Sequence, residues 1–185
     1  VHFIGNYSQI LRPMNYPDGS PGRGYGFFDW HGIRACVLNV SGQIFMEELD
    51  SPFAAIDRVL EDIKREADLF IVDFHAETTS EKIALGYDLD GTATVVAGTH
   101  THVQTADARV LAGGTAYITD LGMTGPLNGV LGVEKEIIIR KMRTKQPERF
   151  TIEKQKPWQI NGIVVDMDES TGRARTIERV YRIYE

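Results

Sequence analysis

The spacing of apolar residues changes along the chain, and those changes mark its elements. Phe53, Ile56, Val59, Leu60 and Ile63 recur at helical spacing, while Asp57, Arg58, Glu61, Asp62, Lys64 and Arg65 take the opposite face. That pattern predicts an amphipathic helix packed on a sheet. Asp50-Ser51-Pro52 provides its start, with a capping oxygen followed by a proline at an early helical position. The apolar run Ala67-Asp68-Leu69-Phe70-Ile71-Val72-Asp73-Phe74 then suits an interior strand. A second helix is predicted from Ser80 to Leu89, broken by Asp90-Gly91, and a second buried strand from Thr94 to Ala97. Two helix-then-strand units in succession point to an α/β protein with a parallel sheet.

Around this centre the signals are shorter. Residues 1 to 24 concentrate turn formers, including Arg12-Pro13, Tyr16-Pro17-Asp18-Gly19 and Pro21-Gly22-Arg23-Gly24, which predicts an extended segment wrapped over the surface. Tyr25 to Trp30 and Ile33 to Val40 are strand-like runs joined at His31-Gly32, which reads as a tight hairpin with His31 as a turn residue. Thr115 to Thr119 reads as a further strand, ending in the Gly-rich stretch Asp120 to Pro126 beside the histidine loops. A short helix is expected over Val133 to Met142. Arg149 to Glu153, Gln159 to Asp166 and Arg173 to Ile183 then form a closing antiparallel meander, with a turn over Asp168 to Gly172. No repeat or long linker divides residues 1–185, so one domain is expected.

Composition narrows the function classes. With 20 Lys and Arg against 26 Asp and Glu, the formal charge is -6, which argues against a duplex nucleic-acid partner. The single cysteine, Cys36, lies in an apolar run and reads as a small core residue. There is no signal peptide and no long apolar span, so a cytoplasmic location and no membrane partner are expected.

The candidate chemistry sits where the buried strands end. His75 follows the first, and Gly98-Thr99-His100-Thr101-His102 follows the second. In open α/β sheets, ligands bind outside the carboxyl ends of strands. Extended chain repeats every two residues, so His100 and His102 would point the same way, which suits metal ligation. The alternative is one histidine bonded within a loop and the other exposed. Imidazole suits Zn, Fe, Mn, Ni or Cu, so ligand type alone names no metal. Glu77 and Glu81 would orient a ligand histidine, with a helix-start carboxylate as the alternative for Glu81. Asp73 would support a ligand or lie on the other face. Asp120, with Gly122 and Thr124, would line a substrate pocket or form a structural turn. His2 reads as a surface residue.

Three stretches carry a resemblance: Phe74-His75-Ala76-Glu77-Thr78-Thr79-Ser80-Glu81-Lys82, Gly98 to Asp107, and Tyr117-Ile118-Thr119-Asp120-Leu121-Gly122-Met123-Thr124-Gly125. Together with Leu11-Arg12-Pro13-Met14-Asn15-Tyr16-Pro17 and Gly42-Gln43-Ile44-Phe45-Met46, they resemble the bacterial YmdB-type metallophosphoesterases of the calcineurin-like superfamily. The resemblance implies an αββα sandwich and two metal ions, iron or manganese, with zinc or magnesium as alternatives. It implies hydrolysis of 2',3'-cyclic nucleotides or related small phosphoesters to a nucleoside 3'-phosphate, by attack of a metal-held hydroxide on phosphorus. His75 matches the family's lone histidine ligand, and His100 and His102 match its paired ligands.

The sequence also departs from that family. Its members begin with a strand ending in Gly-Asp, then a Glu-Asn pair, then a Gly-Asn-His that supplies a ligand and the general acid. None of these is present, and Gly5-Asn6-Tyr7 lies too close to Arg12-Pro13 to replace them. The expectation is therefore the C-terminal portion of a longer enzyme, a sandwich incomplete at its N-terminus, with no general acid of its own. An exposed sheet edge would then favour a homo-oligomer. Two other readings are a non-catalytic or regulatory metal-binding domain and a mononuclear three-histidine hydrolase.

Overall fold

The structure is a computed structural model that describes residues 3–185; His2 lies outside the described residues. β1 (Tyr25–Trp30) and β2 (Ile33–Ser41) form the expected hairpin, with Trp30 opposite Ile33. His31 and Gly32 between them have φ of 50° and 87°. Two positive values in a two-residue loop match the right-handed twist of the flanking strands. Before the hairpin the chain holds one short 3-10 turn, Ile4–Asn6. Asn15 in this stretch is fully buried, its amide tying Ser41 and the Asp50 carbonyl together.

α1 (Pro52–Glu66) follows Ser51, whose hydroxyl accepts from the Ala54 N–H at 3.5 Å. Then come β3 (Leu69–His75), α2 (Thr79–Asp88), β4 (Val95–Thr99), β5 (Arg109–Val110), β6 (Ala116–Ile118), β7 (Gly125–Pro126), α3 (Lys135–Thr144), β8 (Trp158–Met167) and β9 (Ala174–Tyr184). The large sheet has six strands in the order β1-β2-β3-β4-β6-β5. β2, β3, β4 and β6 run parallel, and the edge strands β1 and β5 run antiparallel. A second sheet, β7-β8-β9, is antiparallel.

Alternation along the central strands creates two cores. Phe70, Val72 and Phe74 of β3 join Cys36, Leu38, Val40 and Val96 against Ile56 and Ile63 of α1 and Leu85 of α2. Burial of this kind contributes about 1.5–3 kcal/mol for each large apolar side chain. The same burial pushes the Cys36 thiol up to about 11, as expected for an inert core residue. On the other face Val95, Ala97, Ala116 and Ile118 meet Ile163, Val165 and Ile177 of the second sheet. Helices, sheet and sheet are thus stacked in layers of a mixed α/β sandwich. Among the described residues no helix is long and apolar enough to cross a membrane.

One predicted strand is corrected. Arg149 to Glu153 is not a strand of the meander: it lies mostly exposed along residues 130–134, with Glu134 N–H to the Thr151 carbonyl and Glu153 N–H to the Gly132 carbonyl. Gly125–Pro126 pairs beside β8 instead, with Gly125 opposite Gln159. A five-residue alternation cannot say which neighbour will be in reach.

Backbone contact between β4 and the end of β6 leaves no room at Gly98, where a Cβ would overlap the Thr119 carbonyl oxygen. At Gly162 a Cβ would meet nothing within 4 Å. Gly98→Ala is therefore expected to cost roughly 3 kcal/mol, and Gly162→Ala to stay within about 0.5 kcal/mol. Urea unfolding of both variants checks this, and equal midpoints would refute it.

Candidate metal and phosphoester site

The alternation that builds the two cores also selects the polar residues of the site. On β3, Phe70, Val72 and Phe74 face the helices, so Ile71, Asp73 and His75 share the side turned toward the second sheet. Parallel register places Asn39 beside Asp73, and Ser41 and Thr99 beside His75. Asn39 Nδ2 donates to Asp73 Oδ2 at 2.8 Å, and the Thr99 hydroxyl donates to Asp73 Oδ1 at 3.0 Å. His75 Nδ1 lies 3.1 Å from that hydroxyl. His75 Nε2 then faces His100 Nδ1 at 3.1 Å, and His100 Nε2 meets Glu77 Oε2 at 2.7 Å. The two rings are nearly perpendicular, at 82°.

This chain is one hydrogen short. Four contacts link Asp73, Thr99, His75, His100 and Glu77, yet the hydroxyl and two neutral imidazoles supply only one hydrogen each. Both terminal carboxylates only accept, so the outer ring nitrogens are best satisfied as donors. Two lone pairs then face each other between the rings. A proton or a cation there completes the chain. Burial, and next the neighbouring His100, hold His75 below the usual histidine value, which works against the extra proton. Two imidazole nitrogens 3.1 Å apart, each with its outer nitrogen held by a carboxylate or a hydroxyl-linked one, would be oriented to hold a cation that accepts both lone pairs.

The His-x-His loop does not follow the period of a strand. β4 ends at Thr99, and His100 and His102 have φ of 123° and 65°. Such values cost a non-glycine residue about 1–3 kcal/mol each and persist only where the surroundings over-determine them. Asp120 supplies that constraint. Its carboxylate accepts from the Thr101 N–H at 2.9 Å, from the Gly122 N–H at 2.9 Å and from Lys82 Nζ at 2.9 Å. Both side chains of the Lys82–Asp120 pair are 1% exposed. The Met123 N–H reaches the His102 carbonyl, so the Gly-rich stretch does lie beside the loop.

The bend separates the two loop histidines. His100 joins His75, while His102 is exposed and lines a cavity of about 510 Å³ with Met123, Asn161, Arg179 and Tyr181. Among the described residues no three His, Cys, Asp or Glu side chains converge as a metal-binding group. Glu77 touches His100 directly. Asp120 is fully engaged in holding the loop, and Thr124 lines a different shallow hollow with Trp158 and Tyr184. Among the described residues Glu81 touches no histidine: its Oε1 accepts from the Gln43 N–H, and its buried Oε2 finds no partner there. Lys82, Thr99 and Asn39 were not singled out in the sequence. For Lys82 the available signal was its place one helical turn before Leu85, on the face that α2 buries; for Thr99, its register opposite His75.

A profile of the YmdB-like protein family matches residues 1–180. The chain belongs to the YmdB-like family. Its sequence is 46% identical over 178 residues to a Bacillus subtilis 2',3'-cyclic-nucleotide 2'-phosphodiesterase, covering 96% of this chain and 67% of that protein. Among solved structures, a hypothetical protein from Thermus thermophilus superposes with a TM-score of 0.92 at 38% identity, covering all of this chain and 71% of that one. A Mycoplasma pneumoniae phosphatase superposes with a TM-score of 0.88 at 34% identity, covering 96% and 65%. The chain thus spans about two thirds of the length of these relatives. The α/β sandwich and the family expected from the motifs are both found.

Acid titration reports on the loop anchor. Burial opposes the charge of Asp120, but bonds from Lys82 and the Thr101 and Gly122 amides outweigh it and hold its pKa below the ordinary carboxylate value. Asp107 is lowered likewise, with the Thr105 and Thr119 hydroxyls overcoming burial. A carboxylate depressed in the folded state stabilises fully above the unfolded value of about 3.9, and the contribution is lost as pH falls through the folded pKa. Unfolding free energy is therefore expected to decline as pH drops below about 4. Asp120→Asn, which leaves Lys82 buried without its counter-charge, should lose about 3–5 kcal/mol at pH 7 and show a shallower acid decline. Denaturant titrations across pH measure both, and an unchanged stability would refute the anchoring role.

Proposed function

We propose that this chain carries part of a metal-dependent phosphodiesterase centre acting on 2',3'-cyclic nucleotides, with nucleoside 3'-phosphate as product. The observation that carries the reading is the hydrogen-deficient contact between His75 and His100 at the carboxyl ends of β3 and β4. The activity of the B. subtilis relative gives the substrate class.

In this reading His75 and His100 hold one cation, and His102, matching the family's paired-ligand motif, serves the centre from the cavity side. Imidazole donors favour a transition metal over magnesium, which agrees with iron. Bound cations would neutralise charge on the phosphoryl oxygens as Lewis acids. The chain's own residues do the positioning. Asp73 acts through Thr99 to fix the tautomer and ring orientation of His75, and Glu77 does the same for His100. Asp120 holds the backbone between the two loop histidines in its strained form.

The test is hydrolysis of 2',3'-cyclic AMP by the protein that carries the whole centre, with added Mn²⁺ or Fe²⁺, together with metal affinity measured against a chromogenic chelator. His75→Ala and His100→Ala are expected to abolish turnover. Thr99→Val is expected to weaken metal affinity about 10–100-fold by freeing the His75 ring. Metal binding with no turnover of any phosphodiester would favour a non-catalytic metal-binding domain, and absence of metal binding would overturn both readings.

A further inference from the structure

The inner face of the second sheet changes character part-way along its strands. On β8 the residues on that face are Gln159, Asn161, Ile163 and Val165; on β9 they are Ile177, Arg179, Tyr181 and Ile183. Ile163, Val165 and Ile177 pack on the large sheet, as a sandwich core requires. Beyond them, Asn161 sits opposite Tyr181 in register, and with Gln159 and Arg179 they line the 510 Å³ cavity beside His102. A sheet with only a core to cover would stay apolar there. The polar half begins where the large sheet ends and the histidine loop starts.

The wall and the loop are tied together. Gln104, two residues after His102, donates through Nε2 to the Gly162 carbonyl at 2.9 Å, and Asn161 Nδ2 donates to the Met123 carbonyl at 2.6 Å. The cavity size falls in the range of about 300–1,000 Å³ typical of small-molecule pockets. Its lining offers four kinds of contact. Tyr181 presents a half-exposed ring, Gln159 and Asn161 present amides, and Met123 gives an apolar wall. Arg179 makes no ion pair among the described residues; its guanidinium has only a 3.4 Å contact to the Thr105 carbonyl. An aromatic face, amide groups and an un-neutralised cation next to a candidate phosphate centre are what a nucleotide needs.

Resting on the phosphodiesterase reading above, we infer that this cavity is the nucleoside pocket. The base stacks on Tyr181, the amides of Gln159 and Asn161 meet its polar edge, and Arg179 draws the anion toward His102. The second sheet then selects nucleotides over other phosphoesters, and the histidine loop handles the phosphate alone.

Calorimetry on the full chain with Mn²⁺ tests this, using adenosine 3'-monophosphate and inorganic phosphate as probes. Tyr181→Ala is expected to weaken the nucleotide roughly tenfold or more and leave phosphate unchanged. Tyr181→Phe, which keeps the ring, should retain wild-type affinity. Nucleotide affinity unchanged in Tyr181→Ala, phosphate affinity falling in step with it, or no nucleotide binding by the wild-type protein would each overturn the pocket. Ring-dependent nucleotide binding without hydrolysis of any phosphodiester would instead leave the pocket standing and remove the catalytic reading.

Discussion

Asp120 and Lys82 form an ion pair in a place from which water is excluded, and the histidine loop depends on it. Such a pair is costly to desolvate, and a well-packed apolar pair of similar volume often gives equal or greater stability. Its value lies in the acceptors that Asp120 has to spare. The lysine keeps the carboxylate ionised, and the carboxylate holds the amides of Thr101 and Gly122. One charge from α2 therefore fixes two segments that a short strand end could not hold alone.

That constraint explains how the loop tolerates two non-glycine residues at positive φ. The turn at His100 aims its ring back across the sheet toward His75, and the further bend at His102 leaves that residue at the cavity. A regular strand would have carried both rings to the same side. Gly98 permits the close approach of β4 to the Thr119 carbonyl, and the Leu121 N–H in turn bonds the Gly98 carbonyl. The strain at the site is thus balanced by ordinary bonds made one strand away.

The layers decide what the site can reach. Helices cover one face of the large sheet, so polar residues on its strands are directed to the other face, between the sheets. Near the middle of the strands that space is filled by Val95, Ala97, Ile163 and Val165. At the carboxyl ends it opens, and Asn39, Asp73, Thr99 and His75 form one bonded series on one side while Asn161, Arg179 and Tyr181 line the other. In the proposed reading, the metal-holding and nucleoside-binding residues are divided between the sheets because neither sheet surrounds the site alone.

Much of this was legible in local pattern. The hairpin at His31-Gly32, the helix after Ser51, the two helix-strand units and the long final hairpin follow from spacing and turn chemistry, which act over a few residues. The motifs around His75 and His100 identified the family for the same reason: their residue types are sequence properties. Pairing was not legible. Arg149 to Glu153 alternates like a strand but found no neighbour in the sheet, and the His-x-His spacing suggested two parallel rings where the backbone turns instead. Lys82, Thr99 and Asn39 acquire their roles only through register and through a helix laid across the sheet. Periodicity and side-chain chemistry are local, so the order of residues was enough to place the candidate histidines at the ends of two buried strands. Which of them meet was settled by packing, because a contact between residues 25 positions apart, such as His75 with His100, depends on distances that exist only once the strands and helices are in place.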